Sequence, residues 1–296
     1  MKEAFDIRVE TFQEILLEQS EVEHIATGFG FTEGPVWKSQ GLLFSDIPNS
    51  RIARIALAEE GSSITTFRYP SGNSNGLTLD LEGDIIACEH TNRRVSVTDS
   101  SGKVRSLATR YKGKRLNSPN DAVVKSDGWV YFTDPPYGIL SDYEGYPGEQ
   151  EYDGCYVFRF NPKNNKLDVM TTKLDMPNGI TFSHDEKKLY IADTGDGNKY
   201  LYVFDVVENS IFNQKLVYDF KPFFSDGFRS DKDGNIWTSA GKAIKCFNPK
   251  NELIGQLIVP ELVSNLEFGG KEGNILYVTA TSSLYAMELN QVGAKF

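Results

Sequence analysis

Apolar residues along this chain come in short strand-like runs, each set behind a polar turn, and the spacing of an amphipathic helix is nearly absent outside Phe12 to Leu17. One pattern returns six times. It reads Gly41-Leu42-Leu43-Phe44-Ser45-Asp46, Gly83-Asp84-Ile85-Ile86-Ala87, Gly128-Trp129-Val130-Tyr131-Phe132 and Lys187-Lys188-Leu189-Tyr190-Ile191. It then returns as Gly234-Asn235-Ile236-Trp237-Thr238 and Gly273-Asn274-Ile275-Leu276-Tyr277. Five of the six turns close on glycine, as tight hairpins requiring positive φ favour.

With Leu42, Ile85, Val130, Leu189, Ile236 and Leu276 as anchors, the intervals are 43, 45, 59, 47 and 40 residues. A four-stranded propeller blade needs roughly 40 to 50. The pattern therefore predicts an all-β fold, a six-bladed β-propeller with four-stranded blades around a central channel. A β-sandwich leaves six equivalent copies unexplained. The expected organisation is one domain over 1–296, with the N-terminal segment 1–30 closing the last blade. The long third interval holds an insertion, 138–153, rich in Gly, Pro, Tyr and Glu, which reads equally as a lid or as a mobile loop.

Composition narrows the function. The net charge of −10 disfavours nucleic acid, whose phosphates need clustered Lys and Arg. The one basic cluster, Arg110 to Arg115, reads as a solvated loop. Cys88, Cys155 and Cys246 show no disulfide framework and no CxxC spacing. The first residues carry no apolar signal core, and no stretch reaches 18 apolar residues, so the expectation is a cytoplasmic protein with no membrane partner.

Candidate chemistry lies about ten residues before each anchor. There the chain reads Glu33-Gly34, Asn75-Gly76, Asn120-Asp121, Asn178-Gly179, Asp226-Gly227 and Asn265-Leu266, at offsets of 9, 10, 10, 11, 10 and 11. Equivalent positions in six blades place six polar side chains around one mouth of the channel. Two carboxylates with amide oxygens suit a hard cation, and the absence of His and Cys argues against a typical zinc site. Taken singly, Asn-Gly and Asp-Gly pairs are ordinary turn formers. Glu33 fits that explanation worst.

Several longer motifs carry a resemblance. They are Thr32-Glu33-Gly34-Pro35-Val36-Trp37, Leu116-Asn117-Ser118-Pro119-Asn120-Asp121, Thr133-Asp134-Pro135-Pro136-Tyr137-Gly138, Met176-Pro177-Asn178-Gly179 and Ser225-Asp226-Gly227. In this order they resemble the SMP-30/gluconolactonase/luciferin-regenerating enzyme family, and Cys88-Glu89-His90-Thr91-Asn92-Arg93 resembles its gluconolactonase branch. The regucalcin branch carries arginine where this chain has Ser118. The resemblance implies one divalent cation held by Glu33, Asn120, Asn178 and Asp226, with calcium first and magnesium, manganese, zinc or iron as alternatives. It also implies hydrolysis of a small sugar lactone, with Asp226 as both ligand and base. Asn75 and Asn265 then line the ring.

Candidate substrate-binding residues are Asn75, His90, Asn117, Asp121, Asp134 and Tyr137. Asp121 reads as an orienter of a ligand or as the start of a strand. His90 reads as a general base or as a satisfied strand-end histidine. Asp134 and Tyr137, like Asp193 and Thr194 one blade on, either bind sugar hydroxyls or fix a turn. Gly72-Asn73-Ser74-Asn75-Gly76 matches a nucleophile elbow, but the following residues alternate like a strand, where an elbow requires a helix. Cys88 and His90 lie two strand positions apart, too far for a direct hydrogen bond. No dinucleotide or P-loop fingerprint is present, so no organic cofactor is expected. A non-catalytic calcium-binding regulator and a promiscuous esterase or organophosphate hydrolase are the competing functions, and the sequence leaves monomer and homodimer open.

Overall fold

The computed structural model describes residues 5–39, 41–58 and 61–295. Its strands form six antiparallel sheets of four repeat-derived strands each. Blade 1 comprises Thr32–Lys38, Gly41–Asp46, Arg51–Ala58 and Gly61–Arg68. Blade 2 comprises Ser74–Leu79, Ile85–Glu89, Arg94–Thr98 and Val104–Ala108, and blade 3 Ala122–Val124, Val130–Asp134, Tyr156–Asn161 and Lys166–Thr171. Blade 4 runs through Pro177–Phe182, Lys188–Asp193, Tyr200–Val207 and Ser210–Asp219. Blade 5 uses Phe228–Ser230, Ile236–Ser239, Ala243–Phe247 and Leu253–Ile258. Blade 6 takes Val263–Gly269, Ile275–Ala280 and Ser283–Glu288 from the C-terminal end and Glu23–Thr27 from the N-terminal end.

The first strands of the blades touch one another in cyclic order, and the sixth touches the first, which makes the ring a closed six-bladed β-propeller. Closure removes the end-to-end edges that an open array of sheets would expose. The pairing of Glu23–Thr27 with Ser283–Glu288 ties one chain end to the other across the seam. Ahead of it, Phe5–Ile7 adds a fifth strand to blade 5. The short helix Glu10–Ile15 then buries Phe12 and Ile15 against Trp237 and its neighbours. Residues 1–4 of the N-terminal segment lie outside the described residues.

Hydrophobic area is buried mainly between faces of adjacent blades. Val123, Tyr131 and Val157 of blade 3 pack on Ile180, Phe182, Leu189 and Ile191 of blade 4, and Trp37 stacks on Tyr277 across the seam at 5.2 Å. Branched and aromatic side chains fill both faces of a pleated sheet well, hence the uninterrupted apolar repeats. The basic stretch forms a small hairpin, Arg110–Tyr111 against Lys114–Arg115. Among the described residues no helix is long and apolar enough to cross a membrane.

Candidate functional site

The ring residues sit where the inner strands depart from regular pairing. The register shifts between Glu33 and Val36, Ser74 and Leu77, Pro177 and Ile180, and Val263 and Asn265. In blades 3 and 5 the strand starts only after Asn120 and Asp226, at Ala122 and Phe228. Each irregularity re-aims a side chain, as bulges do.

The glycine that follows four of the six ring residues, Glu33, Asn75, Asn178 and Asp226, has a further cause than turn formation. A Cβ on Gly179 would lie 1.9 Å from the carbonyl oxygen of Asp226 in the next blade. A Cβ on Gly34, at φ +51°, would lie 2.1 Å from the carbonyl oxygen of Asn75. At these two positions the backbone of the next blade comes so close that only glycine fits.

Glu33, Asn75, Asn120, Asn178 and Asp226, one from each of five blades, line a single cavity of about 300 Å³. Tyr137, Thr194 and the carboxyl-bearing Glu144 of the insertion complete its polar wall. Phe31 and Phe224 supply apolar surface, and Lys199 brings the cationic side chain. Lys199 Nζ donates to the Thr194 carbonyl at 2.8 Å and lies 5.7 Å from the Phe224 ring centroid. The hydroxyls of Tyr137 and Thr194 hydrogen-bond each other.

Burial and charge act strongly on the carboxyls. Desolvation pushes Glu33 up, and repulsion from Asp121 adds to it. Asp226 is driven well above the usual carboxylate range by burial and by repulsion from Glu33, Asp121 and Glu144, while Asn178 donates a hydrogen bond that opposes the shift. Asp121 does not line the cavity: it is buried, its carboxyl accepts from the Ala122 N–H at 2.9 Å and the Ile180 N–H at 3.4 Å, and burial raises it to about 6. Glu33 accepts from the Asn265 amide at 2.9 Å, so the sixth ring residue orients a carboxylate instead of lining the cavity. Dry, mutually repelling carboxylates with amide oxygens beside them are a donor set that a divalent cation would relieve. Among the described residues no three His, Cys, Asp or Glu side chains are grouped for a metal; the candidate set is mixed carboxylate and amide.

The other expected site residues are distributed differently. Asn75 and Tyr137 reach the cavity, whereas His90 lies fully buried behind Asn75, with Asn75 Nδ2 at 3.4 Å from its Nε2. Desolvation lowers the His90 pKa to about 4, which keeps it neutral, and its placement removes it as a direct substrate contact. Asn117 and Asp134 instead hold the base of the insertion. The Asn117 backbone N–H donates to Asp134 Oδ2 at 2.8 Å, its amide donates to the Gly154 carbonyl at 3.1 Å, and the Tyr152 hydroxyl donates to Asp134. Asp193 does the same in blade 4, accepting from the Asp175 and Met176 N–H groups. Both acids are loop anchors. Ser118 ties the next turn, donating to the Pro135 carbonyl at 2.6 Å and accepting from Gly138 N–H at 2.9 Å. Ser74 is buried on a strand against Ser45 Oγ at 2.9 Å, and burial pushes the Cys88 thiol up, so neither is an exposed nucleophile.

Residues 31–282 match the family model described as SMP-30/Gluconolactonase/LRE-like region. The chain belongs to this family. It is 34% identical to a gluconolactonase of Zymomonas mobilis subsp. mobilis over 92% of this chain and 82% of that protein. It is 26% identical to regucalcin of Bos taurus over 83% of this chain and 82% of that one. The solved structure of a gluconolactonase from Xanthomonas campestris superposes with a TM-score of 0.91 at 29% identity, covering 97% of this family member and 95% of that chain. Phe31, Glu144, Lys199 and Phe224 sit at no repeat-equivalent ring position, so the sixfold pattern in the sequence does not point to them. Glu144 lies within the long insertion of blade 3, which breaks the repeat spacing.

Proposed function

We propose that this protein is a lactonase that opens sugar lactones to aldonic acids at the five-blade cavity, with one divalent cation held by Glu33, Asn120, Asn178 and Asp226. The observation that carries the reading is the convergence of two buried, electrostatically raised carboxyls and two amides from separate blades on one small cavity. The gluconolactonases among its relatives support the substrate class. All-oxygen donors favour a hard cation such as calcium or manganese. When bound, the ion would polarise the lactone carbonyl and stabilise the oxyanion of the tetrahedral intermediate.

The protein's own residues supply the rest. Asp226 is fixed through its backbone N–H to Ser239 Oγ at 2.8 Å and through the Asn178 amide, which leaves carboxylate lone pairs for a proton. It takes the proton of the attacking water and returns it to the ring oxygen as the carbon–oxygen bond breaks. Asn265 holds Glu33 in place. Tyr137 and Lys199 offer donors to ring hydroxyls, and Phe31 and Phe224 exclude water from one side. A cavity of about 300 Å³ suits a single sugar ring.

The deciding experiment is acid release from δ-gluconolactone and xylonolactone at pH 6.5 by chelator-stripped protein, with calcium, magnesium, manganese, zinc or ferrous ion restored singly. Metal-dependent turnover that vanishes in Asp226→Ala supports the reading. Tight metal binding with no turnover on these or on a broader ester panel would assign a non-catalytic calcium-binding role instead, and preference for phosphotriesters an organophosphate hydrolase.

A further inference from the structure

The insertion at 138–153 is pinned over the cavity at several points. Ser118 fixes its entry, the Tyr146 N–H donates to the Gly138 carbonyl at 3.0 Å, and the Gly148 N–H donates to the Ile139 carbonyl at 3.0 Å. The Tyr143 hydroxyl reaches the Gly30 carbonyl at 3.1 Å, just ahead of blade 1. A Cβ on Gly138 would lie 2.3 Å from His90 Cβ, so the insertion backbone rests directly on the imidazole.

Hydrogen-bond logic then fixes three groups in series. His90 Nδ1 lies 3.1 Å from the Glu144 carbonyl oxygen, which only accepts, so Nδ1 carries the proton. Burial forbids a second proton, so Nε2 is a bare lone pair. The group facing it at 3.4 Å must donate, which makes it the Asn75 NH2 and not the Asn75 oxygen. Among the described residues Asn75 Oδ1 accepts no hydrogen bond, and Asn75 lines the cavity.

We infer that the insertion acts on the substrate through this relay: the Glu144 carbonyl sets the His90 tautomer, His90 sets the Asn75 amide, and Asn75 Oδ1 accepts a hydrogen bond from a ring hydroxyl of the lactone. His90 is a positioning residue, and Asn75 is the specificity contact. The substrate class rests on the lactonase reading above; the tautomer does not.

The test compares δ-gluconolactone with δ-valerolactone, which lacks ring hydroxyls. In His90→Asn the amide still donates to the Glu144 carbonyl but no acceptor faces Asn75. The expected result is a KM for gluconolactone raised about tenfold, kcat within threefold, and valerolactone hydrolysis unchanged. His90→Gln places an acceptor near the Nε2 position and should recover most of that KM. Asn75→Ser should raise the gluconolactone KM as His90→Asn does, with a several-fold larger loss on gluconolactone than on valerolactone. Equal losses on both lactones, or weakened manganese binding in place of a KM effect, would overturn the relay. Long-range 1H–15N spectra of the wild type, simplified by its three histidines, should show His90 protonated at Nδ1 and bare at Nε2. A proton on Nε2 refutes it. If the wild type opens neither lactone, the lactonase reading fails separately, and the tautomer alone decides the relay.

Discussion

Forcing His90 to take up a proton should cost this protein a measurable share of its stability. Its ordinary pKa of 6.5 falls to about 4 in the folded state because the ring is fully buried. The folded pKa is depressed, so the neutral ring stabilises the fold fully above pH 6.5, and that contribution disappears as pH falls towards 4. The fall from 6.5 to about 4, at roughly 1.4 kcal/mol per pKa unit, gives between about 3 and 4 kcal/mol, most of it already lost at pH 4.5. The carboxylate nearest the ring is Glu144, with Oε2 at 4.0 Å from Nδ1; burial pushes its own pKa up, which weakens it as a counter-ion in acid. Urea unfolding of wild type and His90→Gln at pH 7.5 and pH 4.5 isolates the effect, since all other titrating groups cancel in the difference. Wild-type stability relative to the variant should drop by about 2–3 kcal/mol between the two conditions. A difference that stays constant within about 0.5 kcal/mol would show that the imidazole can be charged in place, and the dry-ring argument would fail.

Two further outcomes follow from the ring. Gly179→Ala sets a methyl group against the Asp226 carbonyl oxygen and should cost roughly 2–4 kcal/mol while weakening cation binding; an unchanged melting temperature would show that the axis has slack. Because burial and charge repulsion raise both Glu33 and Asp226 in the metal-free protein, manganese binding at pH 6 should release protons and tighten as pH rises. Calorimetry in two buffers of different ionisation enthalpy reads the proton count, and a buffer-independent enthalpy would mean the ion does not meet these carboxyls.

The sequence by itself determined the blade count and the ring, because a repeated hairpin needs the same turn and the same apolar faces each time. Equivalent offsets from Leu42, Ile85, Val130, Leu189, Ile236 and Leu276 located Glu33, Asn75, Asn120, Asn178 and Asp226, five residues that line one cavity in the folded chain. The same equivalence argument misleads one position further along. Asp46, Glu89, Asp134 and Asp193 also recur at the ends of second strands, yet each is buried and bonded to the loops or arginines of its own blade. Repetition marks a position that every blade needs, and whether the need is structural or chemical depends on what lies across from it. Tertiary structure decided that. It set Asn265 on Glu33, turned the Ser118 hydroxyl to the Pro135 carbonyl, and brought Glu144, Lys199 and Phe224 to the cavity from loops outside the repeated strands. It also gave the paired glycines their reason. Local propensity reads Asn-Gly as a turn, but at the axis of six converging strands it is the next blade's backbone that leaves no room for a side chain.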